Sequence, residues 1–77
     1  MSEMTQGMLW YDASGRPLAE RAADAAAYYE KKYGSRPNRV VVNTTETGAP
    51  DQVGGMTVNV SRMVMVNHLW IGMASHA

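Results

Sequence analysis

Residues 17–34, PLAERAADAAAYYEKKYG, decide the fold of this chain. Their apolar side chains recur at spacings of three and four residues, which predicts an amphipathic helix over residues 17–33. The positions in this stripe are Leu18, Ala22, Ala25, Ala26, Tyr29 and Tyr33. Pro17 is typical of the first turn of a helix, and Gly34 is typical of the position just after one. We expect the stripe to pack on a sheet.

Four blocks outside the helix predict β-strands, one before it and three after it. They are residues 8–11, 39–43, 56–61 and the interrupted apolar block 63–66 and 69–71. Residues 44–55, rich in Thr, Gly and Pro, are expected to form a loop. The resulting order, β-α-β-β-β, predicts an α+β fold in which one helix packs on a small, mostly antiparallel sheet.

Length and composition limit the domain organisation and the class of protein. The chain has 77 residues, no cysteine, and seven basic against seven acidic side chains. We expect a loose N-terminus over residues 1–7, a single domain over residues 8–73 and a C-terminal tail over residues 74–77. No apolar run approaches the ~18 residues of a transmembrane helix. We therefore expect a soluble, cytoplasmic protein that has no disulfides and does not enter a membrane.

Residue types that carry chemistry are present, but their spacing selects no site. His68 is the only internal histidine, and neither a nucleophile motif nor a paired-carboxylate pattern accompanies it. Met63 and Met65 share one face of a predicted strand, where methionine usually fills gaps in a core or an interface rather than binding metal. We expect no enzyme activity, no cofactor and no metal site.

The strand patterns indicate that both faces of the sheet carry apolar side chains. A strand with one face in water alternates, as residues 56–61 do, but residues 40–42, 63–66 and 69–71 do not. One helix covers one face, so we expect a second copy of the chain to cover the other, most simply in a two-fold dimer. The candidate interface residues are Met63, Val64, Met65, Val66, Leu69, Trp70 and Ile71. The pattern leaves open which alternate set faces the partner.

Two further hypotheses concern other partners. Four of the seven cations, Lys31, Lys32, Arg36 and Arg39, lie within nine residues. Such a cluster is one pattern of nucleic-acid contact, although a helix C-terminus is the wrong pole for phosphate. Because the net charge is zero, we do not expect nucleic acid as the main partner and keep an adaptor as the alternative function. The third hypothesis is a small-molecule pocket lined by Trp10, Trp70 and methionines.

The order of helix, strands and turns between Ala25 and Gly72 also has a family resemblance. The residues that carry it are Tyr33-Gly34, Pro37-Asn38, Val40-Val41-Val42-Asn43, Gly55-Met56-Thr57-Val58, Ser61 and Leu69-Trp70-Ile71-Gly72. This pattern resembles a segment of the tailed-phage major capsid proteins. The resemblance implies a stand-alone piece of such a module, encoded by a phage or another mobile element, and it assigns no catalytic residue.

Overall fold

A computed structural model describes residues 4–46 and 48–74 of the chain, with side chains from Gly7 onward. Along the chain the elements are β1 (Met4–Tyr11), α1 (Leu18–Tyr33), β2 (Arg39–Val42), β3 (Gln52–Val53), β4 (Met56–Val60) and β5 (His68–Ala74). The helix packs on one five-stranded sheet, which confirms the expected α+β class.

The elements extend beyond the expected domain boundaries at both ends. β1 begins at Met4, so residues 4–7 belong to the sheet rather than to a loose N-terminus. Ala74, expected in the tail, ends β5 and pairs with Met4. Main-chain pairing with β5 needs no hydrophobic period, which is why the polar start of β1 carries no strand signal. Residues 1–3 and 75–77, the remainder of the two expected terminal segments, lie outside the described residues.

The sheet has the strand order β1-β5-β2-β4-β3. Three of its four pairings are antiparallel and the β2–β4 pairing is parallel, so the sheet is mostly antiparallel, as expected. β3 is an addition, because it lies in the segment expected to be a loop. It pairs with β4 across Gly54 and Gly55, whose φ angles of 56° and 81° fall in the left-handed region that glycine adopts without strain. Two residues are too few to show a strand period.

The helix forms as its sequence predicts. α1 begins directly after Pro17 and ends at Gly34, which has φ 79° and donates its N–H to the carbonyl oxygen of Glu30 at 2.8 Å. The buried part of the apolar stripe comprises Leu18, Ala22, Ala25 and Tyr29, while Ala26 and Tyr33 are partly buried. The stripe packs on one face of the sheet. The side chains that meet it there include Val40, Val42, Met56, Leu69 and Ile71.

Residues 63–66 form a loop, and the expectation that they form a strand is wrong. β2 lies between β4 and β5 in the sheet, so the chain must cross the end of β2 to pass from one to the other. The crossing starts where the Ser61 N–H donates to the carbonyl oxygen of Val42 at 2.8 Å. It ends at Asn67, whose φ of 64° is incompatible with a strand. The apolar composition of the segment is strand-like, but the topology requires a turn.

Candidate functional site

The side of the sheet that faces away from α1 has no second layer among the described residues. Because side chains alternate along a strand, every second residue of the sheet lies on this side. We call it the open face. Its members are Gly7, Leu9, Tyr11, Arg39, Val41, Gln52, Thr57, Asn59, His68, Trp70 and Gly72.

One half of the open face is apolar. The register places Leu9 of β1 and Val41 of β2 on either side of Trp70 of β5, so that the three side chains form a row across three strands. Leu9 is 53% exposed, and Val41 and Trp70 are partly buried. On β4, by contrast, Thr57 and Asn59 are polar and exposed. The apolar half of the open face is therefore defined by β1, β5 and β2.

The indole ring of Trp70 lies over a glycine on the neighbouring strand. A Cβ atom added at Gly7 would lie 2.6 Å from the Cζ2 atom of Trp70, so the indole ring covers the position where a side chain would stand. Farther along the same pair of strands, the rings of Tyr11 and His68 lie 5.0 Å apart between centroids. Tyr11 is 65% exposed. The aromatic side chains thus lie along the seam between β1 and β5.

A second apolar surface lies on the loop that crosses the end of β2. Met63, Met65 and Val66 are all more than half exposed. The loop is nevertheless well anchored, because the buried Asn43 donates from Nδ2 to the carbonyl oxygen of Val64 at 2.6 Å. The His68 N–H also donates to the carbonyl oxygen of Met65 at 3.1 Å. These hydrogen bonds present the exposed side chains on a defined backbone at the Tyr11 end of the sheet.

The structure separates the seven residues expected at an interface into three groups. Leu69 and Ile71 are fully buried under α1 and are not available to a partner, and Val64 is buried in the loop. Trp70 lies on the open face, and the other three residues are exposed on the loop. Sequence reasoning missed Leu9, Tyr11 and Val41. Their signal was the same as that of Trp70, an apolar residue at every position of a strand.

The four clustered cations do not form one patch. Lys31 and Lys32 lie in the last turn of α1, and the Arg36 Nε lies 3.9 Å from a carboxylate oxygen of Glu30. Arg39 alternates with the buried Val40 and therefore lies on the open face, on the other side of the sheet. Proximity in sequence does not become proximity on the surface here because the chain passes from the helix layer into the sheet.

The hypothesis of a pocket shared by the two tryptophans does not fit the register. Trp10 packs against the core on the helix side, with its ring 5.3 Å from that of Tyr28. Trp70 lies on the opposite side of the sheet. Side chains on opposite faces of a sheet cannot line the same cavity, so this hypothesis is wrong.

An ion pair at the start of α1 fixes the segment that follows β2. Both terminal guanidinium nitrogens of Arg21 donate to the Glu46 carboxylate at 2.8 Å, and the Arg21 Nε donates to the carbonyl oxygen of Arg16 at 2.7 Å. The two side chains are only 8% and 17% exposed. The hydrogen bonds from Arg21 lower the pKa of Glu46 and those to Glu46 raise the pKa of Arg21. Each of the three guanidinium nitrogens of Arg21 thus donates to a protein oxygen, and the pair ties the start of α1 to the segment after β2.

Residues 4–46 and 48–74 contain no group of three His, Asp or Glu side chains placed to hold a metal ion. Within that part of the chain, α1 is neither long nor apolar enough to cross a membrane.

Comparison of the chain with known protein families, curated proteins and solved structures found no match. The resemblance to tailed-phage capsid proteins therefore stays a prediction.

Proposed function

We propose that the protein is a non-catalytic, self-associating module in which the open face of the sheet packs on the open face of a second copy. The observation that carries this proposal is the row of Leu9, Trp70 and Val41 across three neighbouring strands, without a covering layer among the described residues. Contiguous apolar patches on soluble proteins mark interaction sites, and interface cores are enriched in Trp and Tyr. A two-fold dimer is the simplest arrangement that buries the same patch on both chains.

As the sequence predicts, we place the module in the cytoplasm, and a phage or mobile-element origin remains part of the proposal.

Two lysine substitutions on the same face test the proposal. Leu9→Lys introduces a charge into the apolar half, and Thr57→Lys introduces the same charge into the polar half. In sedimentation equilibrium at low micromolar concentration we expect the wild type and Thr57→Lys at twice the chain mass of 8.4 kDa, and Leu9→Lys at the chain mass itself. A folded wild type of 8.4 kDa contradicts the proposal, as does equal dissociation of both variants.

A nucleic-acid adaptor is the second candidate function, supported by the diagonal neighbours Arg39 of β2 and Trp70 of β5 on the open face. Aromatic side chains beside a cation suit the stacking of unpaired bases. Fluorescence anisotropy with a labelled single-stranded oligonucleotide tests it. Micromolar binding that weakens steeply with salt and is lost in Arg39→Gln, but not in Lys31→Gln, would place this function above self-association.

A further inference from the structure

The two edges of the sheet differ in how they are protected from further strand pairing. β3 forms one edge with only two residues, followed directly by the turn at Gly54 and Gly55. β1 forms the other edge and runs for eight residues without a charged residue or a proline. Short strands, charges and prolines are the usual means of blocking edge-to-edge association. β1 has none of these, and the shift in its register with β5 is confined to the stretch between Met4 and Gln6, so the ladder is regular over residues 6–11. Among the described residues no strand pairs with the outer side of β1.

The outer side of β1 presents the peptide groups of alternate residues. Antiparallel ladders form hydrogen bonds through every second residue of a strand. The Asp12 N–H donates to the carbonyl oxygen of Asn67 at 2.9 Å, in register with β1 and β5, so the even-numbered residues of β1 bond to β5. The N–H and C=O groups of Gly7, Leu9 and Tyr11 therefore point outward from the sheet.

We propose that this edge pairs with β1 of a second copy, antiparallel and about a two-fold axis at Leu9. In this register Leu9 lies opposite Leu9 of the second copy, and Gly7 lies opposite Tyr11. Each of the three opposed pairs exchanges two N–H···O bonds, so all the outward groups gain partners. The five-stranded sheets of the two copies become continuous, with both helices on the same side.

The side chains along the proposed seam match on both sides of the sheet. On the open face, leucine meets leucine, and the exposed Tyr11 of each copy comes beside Gly7, over which the indole ring of Trp70 lies. On the helix side, Met8 comes opposite Trp10, and both are already partly buried against the core. No like charges oppose each other because β1 carries none. Self-complementarity of this kind is what a two-fold contact between identical chains requires.

This contact is separate from the open-face contact, because it uses the main-chain groups of the edge rather than the side chains of the face. A chain that makes both contacts assembles beyond a dimer, and it forms a closed tetramer if the two axes are perpendicular and intersect. The edge contact buries less apolar surface, so we expect it at higher protein concentration than the open-face contact.

A comparison of Leu9→Pro with Leu9→Ala distinguishes the edge contact of β1 from the open-face contact. Both remove the leucine side chain, but only proline removes the outward N–H, and neither breaks the ladder to β5. At submillimolar concentration we expect the average mass of Leu9→Ala to be about twice that of Leu9→Pro in light scattering. Circular dichroism establishes that both variants are folded. Equal masses for two folded variants overturn the edge contact.

Amide hydrogen exchange in the wild type tests the same contact without a substitution. We expect the amides of Gly7, Leu9 and Tyr11 to become at least about tenfold more protected at submillimolar than at low micromolar concentration, whereas Met8 and Trp10 are protected at both. Unprotected odd-numbered amides at every concentration overturn the edge contact. If the chain then still has the mass of a dimer, the open-face proposal stands, and a single-chain mass overturns both.

Discussion

The helix-covered face and the open face of the sheet are built from the same three strands, β1, β2 and β5, yet they differ in exposure. On the covered face Val40, Leu69 and Ile71 are fully inaccessible, whereas Leu9 and Tyr11 on the open face are 53% and 65% exposed. Large apolar residues occur on both faces, so their burial depends on what covers them.

β4 differs from these strands because its two faces carry different types of residue. Met56 and Val58 point toward the core, and Thr57 and Asn59 point to water. Only one face of β4 therefore has apolar side chains that need to be buried. Uninterrupted apolar strands are typical of sheets covered on both faces. Only the half of the open face formed by β1, β5 and β2 therefore needs a second layer to bury its apolar side chains.

The largest effect on the free energy of unfolding is expected from a substitution on the covered face. Ala22 is fully buried and Ala23, the next residue of the helix, is exposed. Ala22→Asp puts a carboxylate where it has no partner, and we expect a loss of about 4 kcal/mol in the free energy of unfolding, enough to unfold a domain of this size. Ala23→Asp is the matched control and should cost less than about 1 kcal/mol. Thermal unfolding followed by circular dichroism gives both values, and similar costs would show that α1 does not cover the sheet as described.

A smaller effect on the free energy of unfolding is expected at the ion pair of Arg21 and Glu46, beside the covered face. Glu46→Gln removes the charge that Arg21 neutralises, and we expect it to cost about 2 kcal/mol at neutral pH, whereas Glu30→Gln, at an exposed contact, should cost about 0.5 kcal/mol or less. Urea denaturation measures both. Equal costs would contradict a structural role for the pair.

The same pair makes stability depend on pH. Because Arg21 lowers the pKa of Glu46 in the folded chain, the unfolded chain binds the proton more readily. The contribution of the pair is complete above the ordinary glutamate pKa, and it is lost as pH falls from there through the lowered value. Glu46→Gln should therefore show a shallower fall in stability than the wild type in acid. Parallel pH profiles for the two proteins would contradict this prediction.

The smallest effect is expected on the open face, at the contact between Gly7 and Trp70. Gly7→Ala must displace the indole ring and should cost about 1 kcal/mol, because the new methyl group occupies the position of the ring. In a Trp70→Ala background the same change should be neutral or stabilising, since alanine suits a strand better than glycine. The double-mutant cycle should give a coupling of about 1 kcal/mol by urea denaturation. Additive costs would show that the ring does not rest on the glycine.

Most of the fold that could be predicted from the sequence was predicted from regular hydrophobic periodicity. The stripe of α1 and the alternation of β4 each repeat often enough to define both the element and its buried side. Residues 63–66 have the composition of a strand. They form a loop because β2 lies between β4 and β5, and composition cannot predict that strand order. β3 is too short to have a period.

The candidate site was predicted less completely than the fold. Trp70 was expected at the interface, but a strand that is apolar at every position does not reveal which residues face the helix, and Leu69 and Ile71 were included for that reason. Only the register shows that Leu9 and Val41 join Trp70 on the other side. The basic cluster was divided in the same way, because adjacent residues of β2 belong to different faces.

The position of β5 has a consequence for how the molecule folds. β5 comes last among the described elements, yet it lies between β1 and β2 and is the strand that connects them. The pairing of Met4 with Ala74 spans almost the whole sequence. The sheet therefore cannot close during synthesis while β5 is still inside the ribosome, and β1 has no strand to pair with until then. Such non-local pairing slows folding compared with helical domains of the same length. Docking of β5 is thus the step that joins β1 to the other described strands.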